Sequence, residues 1–578
     1  MRIFPKSSLQ RFLTLFPVFL LPEHFHAGAY PFHVQSSSCR QHLFGNFFRH
    51  PNVFAQHFQC IHAYPSFSDF IIQNFPYQYK LSVDILTISL YYERKKEVLF
   101  MELNLIPRPK SVTVLEGTCP AAAPITVTAD PALSAEAYRL CVTPSGIALA
   151  CADPQGQIWG EVTLSQLRRQ FPDAIPCMEI SDAPAFPFRS IHLDVSRHMR
   201  TIDELKVMAD AASYFKLNKI HWHISDDQGW RIECKAFPKL HEIGSRRKGD
   251  HFGTYRSDEE EGGYYTREEV KDFVAYCAAR GIEVVPEIDV PGHVMAILAA
   301  YPELSCFGDP VEVHTKAAIS LDILCAGREE VYTFLETLLE DMLELFPGKW
   351  FHIGGDEAPK GHWFECPHCN QKLKELGLEN YRQLQGYMMN RLAEVLRRHG
   401  RRAIVWNDGA YGGNLDSDIV LEVWFPDKDS AVDTHVAKGG QLIASPVDVC
   451  YCDYPYGEHP VAPIHAVKLN SDGTVLGGEA LLWSEFVRSA QRMQELCWPR
   501  FTALAEATWQ GDARSDYADF RSRLEALFPV FAEMGIQATP PSGWDPDEEE
   551  AKRQSKEFRL QFEAESENQD YEGLLAQM

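Results

Sequence analysis

Two adjacent carboxylates, Asp356 and Glu357, end a segment that could carry acid–base chemistry. The segment Trp350–Glu357 begins as an apolar, β-prone run, continues through Gly354 and Gly355, and closes with the two acids. Adjacent side chains at a strand end point in different directions, so one carboxyl group can stay neutral while the other is ionised. Such a pair can catalyse the cleavage of a sugar acetal. The alternative is a solvated turn that carries two surface acids.

Short β-rich runs recur along the chain, and most are followed by a helical segment. Eight such runs end in polar or aromatic residues: Arg189–Arg197, Lys219–Asp227, Ile282–His293, Lys349–Glu357, Arg402–Asp408, Ile419–Phe425, Gln441–Asp453 and Val475–Glu485. Apolar residues at helical spacing lie between them, in Ile202–Leu217, Val270–Arg280, Arg328–Leu345 and Arg382–His399. Eight alternating units predict an α/β fold, a closed (β/α)8 TIM barrel with its active site at the carboxyl ends of the strands.

The barrel is expected to occupy residues 184–535, with smaller regions on either side. Residues 101–183 contain short strand-like pieces, turn signals and the helix-like stretch Trp159–Arg169, which predict a small α+β domain with Ser181–Pro187 as its linker. Residues 536–578 form a charged C-terminal tail with little apolar content. We expect this tail to be a surface helix or partly disordered.

The overall composition excludes some classes of partner. The chain has 578 residues and a net charge of −25, which argues against nucleic acid or an anionic membrane surface as a partner. A transmembrane helix is not expected, because no run of 18 or more apolar residues occurs.

Residues 1–100 are an atypical N-terminal segment. They carry nine Lys/Arg against five Asp/Glu, a charge of +4 in an otherwise acidic chain, and their periodicity is poor. One interpretation is a signal peptide in residues 1–29, with Phe12–Leu21 as its apolar core and secretion as the consequence. The favoured interpretation is translated upstream sequence with the start at Met101, because a signal peptide does not explain residues 30–100. A cytoplasmic location then follows.

The cysteines favour a reducing compartment. There are 15 of them, an odd number scattered through predicted helices and strands, which is typical of buried thiols rather than of a disulfide framework. Cys366 and Cys369 have the spacing of a metal knuckle, but no second pair accompanies them in the sequence, and a structural zinc site needs four ligands. Buried thiols or a loop staple are therefore expected, with zinc as the alternative. Cys450 and Cys452 are expected to pack on one face of a strand.

Several separated motifs together resemble the family 20 glycoside hydrolases, the β-N-acetylhexosaminidases. They are Asp194-x-x-Arg197, His221–Trp230, Pro286–His293, His352-x-Gly-Gly-Asp356-Glu357, Tyr451-x-Asp453, Trp483-x-Glu485 and the helix Pro499–Trp509. The resemblance covers residues 103–535. It leaves out the first hundred residues and the acidic tail.

The resemblance implies a mechanism in which the 2-acetamido oxygen of the substrate is the nucleophile. Asp356 would orient that amide and stabilise the developing oxazolinium charge, and Glu357 would be the general acid and then the base. The remaining roles are implied for nine residues: sugar hydroxyl contacts for Arg197 and Glu485, an acetamido contact for Tyr451 with Asp453 on the same strand face, a wall of Trp406, Trp424 and Trp483, and a supporting polar network of Asp226 and His293.

Simpler interpretations stand beside these roles. The tryptophans could be barrel core, Arg197 a structural partner of Asp194, and His293 a core histidine. His221 and His223 are expected to pack rather than to bind a metal, and no metal or cofactor is expected, since no matched ligand sets occur.

The expected activity is exo-acting hydrolysis of terminal β-linked GlcNAc or GalNAc with retention. Its partner is an oligosaccharide or glycoconjugate, and the resemblance leaves a homodimer open. The alternatives are a disaccharide-releasing or sulfated-sugar-specific member of the family, a silent sugar-binding protein, or a retaining hydrolase in which Glu485 or Asp453 is the nucleophile. The loops 245–263 and 305–318 are expected to set the aglycone preference.

Overall fold

The computed structural model describes residues 102–317, 319–426 and 430–566. The predictions for the N-terminal segment of residues 1–100 lie outside these ranges. Among the described residues, no helix combines the length and the apolar character that a membrane crossing requires.

A small sheet with one helix precedes the barrel, as predicted. Its strands pair in the order β1-β5-β3-β4-β2, and they are β1 (Ser111–Pro120), β2 (Ile125–Ala129), β3 (Tyr138–Thr143), β4 (Gly146–Cys151) and β5 (Ala174–Asp182). Helix α1 (Pro154–Gln170) packs on this sheet through Trp159, Leu164 and Leu167, which are buried. Asp153 caps its first turn by accepting a hydrogen bond from the Gly156 backbone N–H.

Eight parallel strands of the described residues close into a barrel, which confirms the predicted fold class. They are β6 (Phe188–Asp194), β7 (Lys219–His223), β8 (Glu283–Glu287), β9 (Trp350–His352), β10 (Arg402–Trp406), β11 (Val420–Val423), β12 (Gln441–Ala444) and β13 (Val475–Leu482). The pairing of β13 with β6 closes the ring. Two-residue ribbons, Ser225–Asp226 with Gly229–Trp230 and Arg246–Arg247 with Glu261–Gly262, lie in the loops above β7.

Helices surround the barrel. The longer ones are α2 (Ile202–Tyr214), α3 (Arg267–Ala278), α4 (Glu329–Leu343), α5 (Pro367–Glu375), α6 (Tyr381–Arg398), α7 (Ala431–Ala437), α8 (Ala490–Cys497), α9 (Arg500–Gln510), α10 (Tyr517–Leu527) and α11 (Glu548–Ser566). Short helices span Lys239–Glu242, Met295–Ala300, Gly361–Glu365, Val447–Cys450, Val461–His465 and Pro529–Glu533, and 3₁₀ turns span Pro302–Leu304, Asn407–Ala410, Gly511–Ala513 and Pro541–Gly543. The capping boxes of Thr201 with Glu204 and Thr266 with Glu269 begin α2 and α3.

One predicted strand is wrong. The run Gln441–Asp453 holds only the strand β12, which ends at Ala444, and then the short helix Val447–Cys450. Pro446 lacks a backbone N–H for the sheet and allows the chain to turn into that helix. Cys450 and Cys452 therefore do not alternate along a strand, although both are buried. Tyr451 still reaches the sheet through a single parallel bridge to Leu481.

The barrel interior changes in character along its axis. An apolar layer fills the end near the strand starts: Phe188, Val285, Trp350, Ile404, Val420 and Ile443. Further along the strands lies a layer of buried ionisable residues: His192, His221, His223, Glu287, His352, Glu422 and Glu479. Aromatic and charged side chains follow at the carboxyl ends. Apolar packing thus fills one end of the barrel, and polar side chains gather at the carboxyl ends of the strands.

The charged tail contributes a docked helix. In α11, the rings of Phe558 and Phe562 contact Tyr454 and Phe486, with centroid distances of 4.9 Å for Phe558–Tyr454 and 5.2 Å for Phe562–Phe486. The buried Glu565 accepts a hydrogen bond from the Gly253 backbone N–H. Helix α11 therefore packs on the loops that follow Asp453 and Glu485.

Candidate active site

The structure brings the eleven predicted site residues to one end of the barrel. They follow the strands β6 (Arg197), β7 (Asp226), β8 (His293), β9 (Asp356, Glu357), β10 (Trp406, at its last position), β11 (Trp424) and β13 (Trp483, Glu485), while Tyr451 and Asp453 come from the loop after β12. This is the end where TIM barrels carry catalytic residues. The roles of the individual residues stay predictions, and the contacts below show what each can do.

Two glycines place the acidic pair. Gly354 has a φ of +67°, and a Cβ built on it would lie 1.7 Å from the Asp289 carboxylate. The next residue, Gly355, has a φ of +109° and donates its N–H to the same carboxylate at 3.0 Å. Only glycine fits the first position, because a side chain would collide with Asp289. The turn then presents Glu357 with a φ of +42°, a conformation that non-glycine residues rarely adopt and that is common at functional sites.

Glu357 has the properties of a general acid. Burial raises the pKa of its carboxyl from 4.5 to about 7, and the nearby charges of Asp356 and Asp408 add to the rise, while His293 opposes it. Its side chain is still 29% exposed, so one face remains open to the cleft. At neutral pH the carboxyl is therefore partly protonated and can donate a proton to a leaving group.

Asp356 lies beside this acid in a different environment. Its carboxylate is largely buried, with Oδ1 shielded from solvent and without a hydrogen-bond partner among the described residues. Its Oδ2 lies 3.8 Å from Nε2 of His293, and the carboxyl oxygens of Asp356 and Glu357 lie within 4.8 Å of each other. A buried acceptor without a partner is costly unless a ligand supplies a donor.

His293 connects the two acids to a carboxylate behind them. Its Nδ1 lies 3.2 Å from Oδ1 of Asp226, and its Nε2 lies 3.7 Å from Oε2 of Glu357. Burial alone lowers the pKa of His293, but the carboxylates of Asp226 and Asp356 raise it well above its ordinary value. We therefore expect a protonated imidazolium, which limits the rise in the pKa of Glu357.

Arg197 is held by three carboxylates and an amide. Its guanidinium lies 2.8 Å from Asp226, 3.4 Å from Asp194 and 3.5 Å from Glu485, and its Nε donates to Gln228 at 2.9 Å. The guanidinium also lies 5.1 Å from the ring centroid of Trp483. The interpretation of Arg197 as a structural partner of Asp194 thus describes only part of its surroundings. Its planar fork is fixed at the cleft, where it can bind sugar hydroxyls.

Four aromatic side chains form one wall of the cleft. Ring centroids are separated by 6.0 Å between Trp406 and Trp483, by 6.3 Å between Tyr451 and Trp483, and by 6.2 Å between Trp424 and Tyr451. Trp406 is almost fully buried and donates its Nε1–H to Glu287 at 2.7 Å. Trp424 and Trp483 remain partly exposed. The wall can therefore receive the apolar face of a sugar or a methyl group.

Asp453 and Asp408 are further carboxyl groups of the site with raised pKa values. Burial and the Glu485 charge raise the pKa of Asp453 well above its usual range, and its Oδ1 is buried without a partner among the described residues. Burial raises the pKa of Asp408 to about 6, and the Asp356 charge adds to that rise. Asp408 accepts the Nε1–H of Trp424 at 2.8 Å. Sequence reasoning gave Asp408 no role. Its position at the end of a predicted strand, two residues after Trp406, could have indicated that it lies at the site.

The buried ionisable layer supports the cleft from below. His221 contacts Glu479 through Nδ1 at 2.8 Å and Glu287 through Nε2 at 3.2 Å. His223 bonds to Glu287 through Nδ1 and to Asp226 through Nε2. His221 and His223 are thus buried in a hydrogen-bonded network, and the expectation that they do not bind a metal stays a prediction. This network links the floor of the cleft to Asp226.

No second pair accompanies Cys366 and Cys369 in the sequence, but the fold brings two single cysteines to them. Cys306 and Cys325 lie beside them, although they are far away in the sequence. The neighbouring sulfur atoms are too far apart for disulfides, and all four cysteines are free thiols. The spacing of Cys306 and Cys325 in the sequence does not predict that they join this cluster.

An eight-stranded parallel barrel with paired carboxylates and an aromatic wall at its carboxyl ends defines a glycoside hydrolase. Family models agree: "Glycosyl hydrolase family 20, catalytic domain" matches residues 186–512, and "Glycosyl hydrolase family 20, domain 2" matches residues 120–183. The chain belongs to glycosyl hydrolase family 20. Its barrel and the small domain before it match the two domain models of this family.

Known proteins similar to this chain are consistent with the assignment. A beta-hexosaminidase of Porphyromonas gingivalis is 34% identical over 68% of this chain and 53% of its own length. A beta-hexosaminidase of Akkermansia muciniphila is 32% identical over 73% of this chain and 89% of its own length. The chain thus spans about half of the first relative and most of the second. The crystal structure of a β-N-acetylhexosaminidase from Bacteroides fragilis is similar with a TM-score of 0.68 and 28% identity, covering 76% of this chain and 99% of that one.

Proposed function

We propose that this enzyme releases terminal β-linked N-acetylhexosamines with retention, and that the acetamido oxygen of the substrate is the nucleophile. The observation that carries the proposal is the pairing of a buried carboxylate, Asp356, with a neighbouring carboxyl of raised pKa, Glu357. An inverting enzyme needs room for a water molecule between its two carboxyl groups, which then lie about 6.5–9.5 Å apart. Here one carboxyl oxygen of Asp356 lies within 4.8 Å of one of Glu357, and the proposed nucleophile is the acetamido oxygen of the substrate rather than a water between the two acids, which gives retention.

In the first step, the acetamido oxygen attacks C1 while the bond from C1 to the leaving oxygen breaks. Glu357 donates its proton to that oxygen, so the aglycone leaves as a neutral alcohol. The sugar becomes an oxazolinium ion, whose positive charge lies close to Asp356. In the second step the Glu357 carboxylate accepts a proton from water as the water attacks C1, which opens the ring and restores both the acetamide and the acid.

Asp356 is suited to the charged intermediate. Its unpartnered Oδ1 can accept the N–H of the acetamido group, which becomes more acidic as the oxygen attacks. Such a hydrogen bond fixes the amide with its oxygen towards C1. The aromatic wall would hold the acetamido methyl group, and Tyr451 would donate its hydroxyl to the amide oxygen.

The remaining polar groups fit the hydroxyls of one sugar unit. Arg197 offers guanidinium donors, and Glu485, which lies 3.5 Å from that guanidinium, and Asp453 offer carboxyl groups. Ion pairs with Asp194 and Glu485 already hold the Arg197 guanidinium in place. A subsite that binds one terminal sugar would account for exo action.

The test is the substitution Asp356→Asn, measured on an aryl β-GlcNAc. The neutral asparagine side chain cannot stabilise the oxazolinium charge. We therefore expect kcat to fall by about 10²-fold or more, as for the loss of one electrostatic contact in a transition state. The matched control is Asp173→Asn, an exposed aspartate in the small domain. An unchanged rate in Asp356→Asn would mean that substrate assistance is wrong.

The cellular location and the assembly state are also proposals. We propose a reducing, cytoplasmic location, which is supported by the 13 cysteines of the described residues, all of them free. A homodimer is proposed on the family resemblance alone. Cell fractionation and light scattering of the purified chain would test the two proposals, and an extracellular pool or a monomer would contradict them.

A further inference from the structure

Four buried cysteines converge outside the active-site cleft. Cys306 follows the 3₁₀ turn Pro302–Leu304, and Cys325 follows Leu324, which pairs with Ser305 in an antiparallel bridge. Cys366 is the N-cap residue of α5, and Cys369 lies in its first turn. All four side chains are buried, with exposures of 0–4%. Three separate chain segments therefore bring one type of side chain to one point.

The sulfur positions match the edges of a tetrahedron. The Sγ–Sγ distances are 3.6 Å for Cys325–Cys369, 3.7 Å for Cys325–Cys366 and 3.9 Å for Cys306–Cys369. All four sulfur atoms lie within 4.8 Å of one another. Four thiolates at a zinc–sulfur distance of about 2.3 Å have neighbouring sulfurs about 3.8 Å apart. A disulfide would instead need sulfurs about 2.05 Å apart.

The backbone around the cluster is adapted to this approach. A Cβ built on Gly327 would lie 2.1 Å from the backbone of His368, so only glycine lets the segment after Cys325 pass so close to α5. Arg328 donates from its guanidinium to the carbonyl oxygen of Cys306 at 3.1 Å. The start of α5 adds the positive end of a helix dipole next to Cys366 and Cys369. This dipole favours negative charge on the sulfur atoms of those two cysteines.

We propose that Cys306, Cys325, Cys366 and Cys369 bind one zinc ion through four thiolates. The ion fastens the segment between Cys306 and Cys325 to the N-terminus of α5. A site with four protein ligands has no open position for water or substrate, so its role is structural. The sulfur-only ligand set selects zinc over magnesium or calcium, which prefer oxygen.

The fastened segment supports the sugar subsite. The N–H of Leu324, next to Cys325, donates to the carbonyl of Pro291 at 3.0 Å, two residues before His293. Within the same segment, the carbonyl of Lys316 accepts the side-chain amide of Gln228 at 2.9 Å, and Gln228 accepts Nε–H of Arg197. Loss of the metal is therefore expected to weaken substrate binding as well as the fold.

The first experiment is metal analysis of the purified full-length chain. Elemental analysis should find about one zinc ion per chain, and X-ray absorption at the zinc edge should find four sulfur neighbours at about 2.3 Å. Iron in place of zinc, nitrogen or oxygen among the neighbours, or much less than one metal per chain after incubation with zinc would overturn the proposal. This measurement uses the native protein, so it does not depend on whether a variant folds.

The second experiment locates the ion. The double variant Cys366→Ser, Cys369→Ser should lose the zinc and melt at a lower temperature, because thiolate ligands tie metal binding to folding. The matched control is Cys277→Ser, which changes another buried cysteine, on α3, and should keep the zinc. Zinc retained by a folded double variant, or zinc lost by the control, would contradict the assignment.

Discussion

The substitution Glu357→Gln tests the acid through stability as well as through rate. Raising the pKa of a carboxyl from 4.5 to about 7 makes ionisation less favourable in the folded protein. Each pKa unit corresponds to about 1.4 kcal/mol, so the ionised carboxyl destabilises the fold by about 3 kcal/mol. Glutamine has no charge to desolvate, so the buried charge does not destabilise the fold of the variant.

Proton binding determines how the free energy of unfolding changes with pH. Between about pH 4.5 and pH 7 the folded state holds the Glu357 proton more tightly than the unfolded state does, so the free energy of unfolding decreases as pH rises through this window. The destabilisation by the ionised carboxyl is absent below the pKa that Glu357 has in the unfolded state. It is complete above the pKa that Glu357 has in the folded state. We therefore expect the Tm of Glu357→Gln, relative to the wild type, to be higher at about pH 8 than at about pH 4.5.

The assay is thermal unfolding of both proteins at these two pH values, together with turnover of two substrates. The control is Glu116→Gln, which changes an exposed residue of β1 far from the cleft in sequence. Loss of the acid should reduce turnover of a poor leaving group by about 10²–10⁴-fold, and turnover of an activated aryl glycoside by less. Equal Tm differences at both pH values, together with equal losses on both substrates, would refute the assignment of Glu357.

Three other predictions follow from the charges and the chain boundaries. Asp408→Asn removes a charge that raises the pKa of Glu357, so the alkaline limb of the pH profile of kcat/KM should move to lower pH; no movement would mean that the two groups are not coupled. Arg197→Lys loses the planar fork, so KM should rise by about 10-fold or more on aryl β-GlcNAc, and an unchanged KM would leave Arg197 a structural residue. Removal of residues 1–100 should leave activity intact, and an inactive or insoluble product would contradict a start at Met101.

The barrel and its active-site end could be predicted because both depend on local patterns. Alternating strands and helices predict the fold. The two glycines before Asp356 and Glu357 predict the tight turn that places these acids. The helix predicted over Val270–Arg280 forms as α3, and the local capping box of Thr266 and Glu269 begins it. In each case, neighbouring residues in the sequence determine the structure.

The missed features depend on contacts between distant segments. Cys306 and Cys325 meet the pair Cys366 and Cys369 only after the barrel has folded, so their spacing in the sequence carries no metal signature. The strand expected to reach Asp453 ends early because Pro446 cannot continue the hydrogen bonding of the sheet.

The most direct test of the central claim is the rate on aryl glucosaminides whose N-acetyl group carries zero to three fluorine atoms. Fluorine withdraws electrons from the amide oxygen and makes it a poorer nucleophile, while the leaving group and the sugar ring stay the same. If that oxygen attacks C1, kcat/KM should fall with each added fluorine. A rate that does not depend on fluorination would show that a carboxylate of the enzyme, or water, is the nucleophile, and would contradict the proposed mechanism.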